Sequence, residues 1–450
     1  MIEALGHDPE SFERLTYAKA GRRLIPFLFV LYVVAFLDRV NISYAQLQMS
    51  ADLNFNDAIY GFGAGLFFIG YFLFEVPSNL LLERVGARLW IARILVVWGL
   101  VATAFVFVRT PAQFYTLRLV LGASEAGFFP GVILFLTYWF PTAFRAPTVS
   151  TFMTGIAVAG VFGAPLSGWI MRNMAGVSKL AGWQWVFLVE GLPAIVLGVI
   201  TLVWLQDGPQ DAYWLSDEER RLVVRRVDED RRHRAQAGGH QHLLRSLGDV
   251  TLWAFATIAF CINVGMYGLN FFLPRLLQER GVTDPLWNGV LVAVCFAVGA
   301  VAMVINGRHS DAHMERAWHT AAPAIAAGVG LAISAGTEAG GLAVAMIGLT
   351  LAVAGTLACL SAFWSCPPTF FAAPTAAAGI ALLNSIGSLG GFVGPSVMGL
   401  ARTHLHSNAA SLYVLVGAFF VCAALALVTL KPRQSLSPTL EPVDAIPLPR

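Results

Sequence analysis

The 450-residue sequence is poor in charge: only 12% of its residues are Asp, Glu, Lys or Arg, and 57% are hydrophobic. Soluble proteins carry about 25% charged residues. A chain with so little charge cannot cover a water-facing surface in the usual way, which excludes an ordinary soluble domain. The formal net charge is only +2, so neither a polyanionic partner nor nucleic acid is expected.

Cysteine and histidine are few, and their placement predicts no cofactor and no metal. The cysteines are odd in number and lack zinc-ligand spacing, so neither a disulfide framework nor a metal site is expected. They lie in or beside apolar runs, at Cys261, Cys295, Cys359, Cys366 and Cys422. None of the nine histidines lies in the interior of such a run, which argues against histidine as a buried proton carrier. A signal peptide is not expected, because the first 23 residues are polar.

Long apolar runs are what the sequence has in abundance. Runs of about 20 residues match the roughly 30 Å hydrocarbon core of a bilayer, and continuous rather than alternating apolarity favours helices. The sequence therefore predicts an all-α, multi-pass protein with the lipid bilayer as a partner. The twelve predicted spans are 24–47, 60–82, 89–108, 113–139, 147–171, 184–205, 251–273, 286–306, 318–336, 342–366, 376–401 and 409–430.

The positive charges predict an orientation. With the N-terminus inside, 21 of the 29 Lys and Arg residues fall in inner segments, six fall in outer loops, and Arg39 and Arg118 lie within spans. An excess of Lys and Arg marks the cytoplasmic side. We therefore expect insertion in the cell (inner or plasma) membrane, with both termini cytoplasmic.

The chain also repeats itself. Glu83 and Asp311 occupy matching loops 228 residues apart, and Pro165 and Pro395 match at an offset of 230. Duplication of this kind is typical of two-bundle transporters with a site at the bundle interface. The predicted organisation is a cytoplasmic N-terminus (1–23), a six-helix bundle (24–205), a cytoplasmic linker (206–250), a second six-helix bundle (251–430) and a cytoplasmic tail (431–450).

Several segments resemble a known family. "NLLLERVGAR" (79–88) resembles the signature loop of the major facilitator superfamily, with Glu83 where the motif usually has Asp. "FLDRVNIS", "FEVPSN", "LRLVLGASEAGFFPG" and "LLNSIGSLGGFVGP" resemble its anion:cation symporter branch, and the whole resembles bacterial tartrate- and phthalate-type transporters.

The resemblance runs from about Arg22 to Leu430. It implies the major facilitator fold, with twelve transmembrane helices in two pseudo-symmetric six-helix bundles that rock about a central site. It also implies a conformational gate in the signature loop and its repeat. The gate residues would be Glu83, Arg84, Gly86, Arg88, Asp311 and Arg316.

Ionisable residues inside spans cost about 2.5–3.5 kcal/mol each on insertion scales, so they are functional candidates. At about 1.5 Å per residue, Asp38, Arg39 and Arg118 lie at one level toward the outer side. Glu125 follows on the helical face of Arg118, near the midplane. Glu75 lies closer to the cytoplasm, which fits a gate, and Glu190 is interpreted as structural.

Two interpretations of the first four charges compete. They either only neutralise one another and hold spans 1 and 4 together, or they serve transport. Apolar packing would hold two helices without the desolvation cost, an arginine fork matches a carboxylate, and nearby acids can exchange protons. We therefore predict that Arg39 and Arg118 clamp a carboxylate while Asp38 and Glu125 carry protons. In the empty protein, Asp38 is expected to pair with Arg118, and Glu125 to reach Arg39 only if the helices tilt suitably.

The predicted function is proton-coupled uptake of a small organic carboxylate anion, tartrate-like, hexonate or aromatic, by a monomer that is not an enzyme. The remaining substrate contacts are expected from Tyr71, Ser361, Trp364 and Asn384. The alternative is a metabolite or drug exporter of the same fold, which would favour cationic or neutral substrates and fewer buried arginines. An enzyme or receptor is a third class, but no nucleophile–base pair is apparent for an enzyme.

Overall fold

The computed structural model describes residues 9–236, 248–336, 341–366 and 373–430, and these are almost entirely helical, with no strand among them. The predicted N-terminus, linker and tail fall partly or wholly outside the described residues, at 1–8, 237–247 and 431–450. The described helices of the N-terminal half are α1 (Pro9–Val40), α2 (Ile42–Asp52), α3 (Asp57–Val85), α4 (Ala87–Ala104), α5 (Pro111–Glu125), α6 (Phe128–Trp139), α7 (Thr142–Met153), α8 (Gly155–Asn173) and α9 (Gly182–Trp204).

The second half repeats this layout after a linker helix. The linker carries α10 (Asp217–Gln236), and the C-terminal bundle comprises α11 (Val250–Glu279), α12 (Pro285–His313), α13 (Ala317–Gly336), α14 (Gly341–Trp364), α15 (Ala373–Leu405) and α16 (Asn408–Thr429). Within the described ranges, eleven helical stretches are long and apolar enough to cross a membrane. With α15 they make the twelve predicted spans, so the predicted fold is confirmed.

Three of the predicted spans are each built from two helices. The first breaks at Asn41, the fourth at Ala126 and Gly127, and the fifth at Thr154. Gly127 has φ +84°, a left-handed conformation that suits glycine. This break lies directly after Glu125, so a functional candidate ends a helix in mid-membrane.

The two bundles meet through two matching helix crossings. Gly61 of α3 lies so close to α15 that an added Cβ would be 2.3 Å from the Pro395 carbonyl oxygen. An added Cβ on Gly289 of α12 would likewise be 2.3 Å from the Ala164 carbonyl oxygen of α8. Gly61 and Gly289 are 228 residues apart, the offset of the signature loops. The sequence repeat is therefore also a structural repeat.

A buried ion network closes the bundles together at the N-terminal end of α3. Arg402 of α15 is 6% exposed. Its Nε donates to Asp57 at 2.9 Å, and its Nη2 donates to Glu279 of α11. On the other flank, Arg172 and Asp284 form an exposed pair at 3.4 Å. By the predicted orientation this closed side is the extracellular one, so we call Asp57, Glu279 and Arg402 the outer seal.

The linker helix α10 is held against the first bundle. Lys19 donates to Glu219 at 2.6 Å, and Arg226 donates to Glu13 at 2.7 Å. Partial burial would raise the pKa of Glu219, but hydrogen bonds from Lys19 and Ser216 outweigh it and hold that pKa below its usual range. The described part of the linker therefore belongs to the N-terminal half.

Candidate functional site

An ion pair lies where the two bundles face each other. Arg39, near the end of α1, donates through Nη2 to Glu125, the last residue of α5. Its Nη1 lies 3.4 Å from the hydroxyl of Tyr267 on α11. The sequence allowed contact between Arg39 and Glu125 only for suitably tilted helices, and the structure brings them together. One guanidinium thus touches both halves of the molecule.

Aromatic rings surround the two predicted clamp arginines. The guanidinium carbons of Arg39 and Arg118 lie 5.2 and 5.1 Å from the centroid of the Phe67 ring. Tyr71 lies 5.5 Å from Arg39, and Phe271 of α11 lies 5.7 Å from Arg118. Such distances give cation–π attraction. Both arginines therefore lie beside one aromatic ring, and Tyr71 lies next to Arg39.

The predicted pair between Asp38 and Arg118 is wrong. Arg118 donates instead to backbone carbonyls of α3, at 2.8 Å to Ala64 and 3.4 Å to Gly63. Asp38 accepts from the Trp98 indole at 2.8 Å. Two physical reasons account for this: small residues leave the α3 carbonyls uncovered, and consecutive helical residues point about 100° apart. Asp38 therefore faces away from Arg39 and its partners.

Arg39 is the most accessible of the central charges. Its side chain is 14% exposed, whereas that of Glu125 is fully buried. Within the described part of the chain, Arg39 Nε has no acceptor and Glu125 Oε2 has no donor. Buried polar atoms of this kind are usually satisfied. The pair therefore retains one open donor and one open acceptor for a bound molecule or a proton.

A second polar link runs from the centre toward the predicted cytoplasmic side. Glu75 follows Tyr71 by four residues on α3, which places the two on one helical face. Its carboxylate accepts from Asn384 at 2.6 Å and from Ser385 at 3.4 Å, both on α15. Asn384, predicted to bind substrate, thus lies beside the centre and joins the bundles through Glu75. This contact fits the gate role that the sequence suggested for Glu75.

Two predicted substrate residues lie elsewhere. Ser361 donates to the Ala358 carbonyl at 2.9 Å and to the Met303 carbonyl at 3.3 Å, within the C-terminal bundle. Trp364 is the last residue of α14 and packs edge-on against Phe363. Among the described residues, neither forms a hydrogen bond or ring contact with Arg39, Glu125 or Glu75, so the structure does not join them to the central site.

The predicted gate loop is organised by a residue that sequence reasoning missed. Gly86 has φ +97°, and Asp207, just after α9, would lie 2.8 Å from a Cβ at that position. The same carboxylate accepts from the Arg88 backbone N–H at 2.8 Å. Glu83 and Arg84 are exposed beside it.

The matching loop of the second half has its own ion pair. Arg316 and Asp311 lie 2.7 Å apart, and Arg316 also donates to Ser310 at 2.7 Å. The two predicted gate loops are therefore both ordered by a carboxylate. In the first loop that carboxylate is Asp207, and in the second it is Asp311.

Other site residues were also missed, and one signal could have found Tyr267. It follows Arg39 by 228 residues, which is the repeat offset already visible in the loops. Trp98 and Phe67 gave no signal, because aromatic residues are common in membrane helices. The five cysteines are buried and unbridged.

Comparisons with known proteins agree on a family. The model of the Major Facilitator Superfamily matches residues 28–395. A relative from Agrobacterium vitis named "Putative tartrate transporter" is 44% identical over 91% of this chain and 93% of its own length. The metabolite transport protein NicT of Pseudomonas putida is 39% identical over 91% and 93%. A quinolone resistance transporter of Acinetobacter baumannii is 37% identical over 90% and 92%.

Solved structures show the same fold. A bacterial homologue of the human lysosomal transporter Spinster, in an inward-facing and unoccupied conformation, superposes with a TM-score of 0.75. The two chains are 17% identical, and the match covers 96% of this chain and all of the other.

Proposed function

The chain belongs to the major facilitator superfamily and is a transporter rather than an enzyme; from that premise we propose that it takes up a small organic carboxylate together with protons. The observation that carries the proposal is the Arg39 guanidinium, which lies between the bundles with its Nε unpaired. A planar guanidinium binds a carboxylate through two parallel hydrogen bonds. A site at the bundle interface can be reached from either side as the bundles rock.

Proton coupling follows from competition for one guanidinium. Glu125 accepts a hydrogen bond from Arg39, so a substrate carboxylate that binds Arg39 through two hydrogen bonds must displace it. Protonation of Glu125 removes its negative charge and releases the Arg39 guanidinium for the substrate carboxylate. Binding of the proton and binding of the substrate therefore favour each other. Asp38 is proposed as a second proton carrier in the same half. Arg118 is held by the α3 carbonyls beside Phe67. Its Nη1 is proposed as a further donor to the substrate.

A count of charge supports more than one proton per monoanion. Moving one charge against the membrane potential costs about 2.3 kcal/mol per 100 mV. One proton per monoanion cancels that cost, and a second makes the potential favourable. A dianion such as tartrate would need at least two protons to be neutral.

The remaining lining suits a hydroxylated or aromatic acid. Phe67, Tyr71 and Tyr267 offer ring faces and hydroxyls beside Arg39. Asn384 and Ser385 provide polar groups at Glu75, one helical turn from Tyr71 toward the predicted cytoplasmic side. The tartrate name of one relative agrees with this class, and we propose a tartrate-like, hexonate or aromatic carboxylate as substrate.

A second candidate is export of a drug or metabolite, which the name of the quinolone resistance relative favours. Counterflow in vesicles of purified protein separates the two. We expect labelled carboxylate to exchange in response to tartrate, hexonates or phthalate, and not in response to a cationic drug. Exchange driven only by the drug would favour the exporter.

The proposed orientation is tested with a reporter that is active only in the cytoplasm, fused after Arg450. Activity of that reporter would support a cytoplasmic C-terminus.

A further inference from the structure

Two buried carboxyls lie in the core of the N-terminal bundle, apart from the Arg39–Glu125 pair. Asp38 of α1 is 1% exposed and Glu190 of α9 is 3% exposed. Glu190 stands eight residues after α9 begins, about 12 Å along the helix, which is close to the depth expected for Asp38. The sequence suggested only a structural role for Glu190.

The donors that reach these two carboxyls are neutral. Asp38 accepts from the Trp98 indole at 2.8 Å and from the Asn41 amide at 3.3 Å. Glu190 accepts from the Ser167 hydroxyl at 2.6 Å. Throughout the described residues, no Lys or Arg forms an ion pair with either acid, although Arg39 adjoins Asp38 in sequence, because Arg39 is turned to Glu125.

The cluster has more acceptors than donors. Glu190 Oε2 and Asn41 Oδ1 are both fully buried and have no donor in the described structure. The Asn41 side chain lies within hydrogen-bonding reach of Glu190 while its amide N–H donates to Asp38, so its unpaired Oδ1 is an acceptor for a proton on Glu190. A buried acceptor without a donor, and a buried charge without a counter-ion, are both costly. A proton on one carboxyl removes one charge and supplies a donor at the same time.

We propose that Glu190 and Asp38 form a second proton-binding site, in which Glu190 holds a proton in the conformation described here. Binding adds one proton from water to Glu190 Oε2, and release returns it to water when the bundles rock. The titratable groups near the pair are Glu125, on the side of Asp38, and Tyr44, on the side of Glu190. Glu125 pairs with Arg39, and the Tyr44 hydroxyl has no partner in the described structure. The inference rests on the proposed proton-coupled function, but it concerns a site that the substrate does not touch.

Infrared difference spectroscopy on the purified full-length protein tests it without any substrate. A protonated carboxylic acid has a carbonyl-stretch band that a carboxylate lacks. We expect that band at neutral pH in the wild type, its loss in Glu190→Gln and its shift in Asp38→Asn. The exposed acid Asp217 serves as the control, since Asp217→Asn should leave the band unchanged. A band that survives unchanged in both Glu190→Gln and Asp38→Asn would overturn the proposal.

A second variant and a transport measurement keep the test decisive if the first variants fold poorly. Ser167→Ala keeps Glu190 but removes its hydrogen bond, so the band should shift while remaining present. In vesicles, Glu190→Gln should keep counterflow but carry fewer protons per substrate than the wild type. An unaltered proton-to-substrate ratio would contradict the inference. Failure of the wild type to transport any carboxylate would instead contradict the proposed function, while the infrared result still decides the protonation site.

Discussion

Arg39 and Tyr267 occupy equivalent positions in the two halves of the chain, 228 residues apart, and meet across the bundle interface at 3.4 Å. At these equivalent positions, the N-terminal bundle provides the Arg39 guanidinium and the C-terminal bundle provides the Tyr267 phenol. A carboxylate bound to Arg39 would also lie beside the Tyr267 hydroxyl. Both bundles would then hold the substrate.

Replacing each arginine by lysine should separate their roles. Arg39→Lys keeps the charge but loses the planar fork, so we expect carboxylate affinity to fall roughly 10- to 100-fold. Arg118→Lys loses its bonds to the Gly63 and Ala64 carbonyls, so it should mainly lower the melting temperature. Binding titrations and thermal melts on both variants measure this. A larger loss of affinity in Arg118→Lys would make Arg118 the principal clamp.

Glu125→Gln should uncouple transport from protons. The amide mimics the protonated acid and leaves Arg39 free, so substrate should still bind and exchange in counterflow. Concentrative uptake driven by a pH gradient should be lost. The comparison of both assays in the same vesicles is the measurement. Survival of concentrative uptake would remove Glu125 from the mechanism and leave Asp38 and Glu190 as the acids to examine.

Arg402→Met should open the outer seal. It removes the buried cation that joins Asp57 to Glu279, so that Asp57 loses its cation and Glu279 keeps only Arg275 of its own helix, at 3.2 Å. A cysteine reporter at Ser396, which is buried against Gly65 of α3 and lies six residues before Arg402 on α15, should then react several-fold faster with a membrane-impermeant thiol reagent. The native cysteines are buried, which keeps the background low.

The matched control for the seal is Arg172→Met. The side chains of Arg172 and Asp284 are 48% and 36% exposed, and solvent-exposed pairs contribute about 0–1 kcal/mol. Labelling at the Ser396 reporter should hardly change. Equal acceleration in the two variants would show that charge in general, and not the buried network, keeps this side closed.

Gly61→Ala and Gly289→Ala should each force a helix crossing apart, because a Cβ at either position would lie 2.3 Å from a carbonyl oxygen. We expect lost transport and about 1–3 kcal/mol of destabilisation, the usual cost of overpacking. Gly417→Ala is the control, since nothing lies within 4 Å of its Cβ position. Normal transport in both crossing variants would disprove the need for this close contact.

The fold was predictable from the sequence because bilayer thickness and the repeat determine it. The span predicted at 286–306 lies within the helix Pro285–His313, and the loops at Glu83 and Asp311 were matched by sequence alone. Helical rise, which needs only a count of residues, predicts that Arg39 and Arg118 lie at one level. In the structure both guanidinium groups lie beside the Phe67 ring.

Helix rotation and side-chain reach could not be predicted in the same way. The partner of Asp38 is Trp98 rather than Arg118, because packing sets which face of α1 meets α4. The span predicted at 376–401 leaves Arg402 in a loop, yet α15 extends to Leu405 and buries it. Ser361 is predicted to contact substrate, but neighbouring carbonyls occupy its hydroxyl.

The most direct test of the account is uptake of labelled tartrate, hexonate or phthalate into vesicles of purified protein, with the pH gradient and the membrane potential imposed separately. We expect accumulation when the outside is acidic, faster accumulation of a monoanion when the inside is negative, and loss of accumulation with a proton ionophore. Uptake that does not depend on the pH gradient would contradict transport of an organic anion with more than one proton. So would uptake of a monoanion that is slower when the inside is negative.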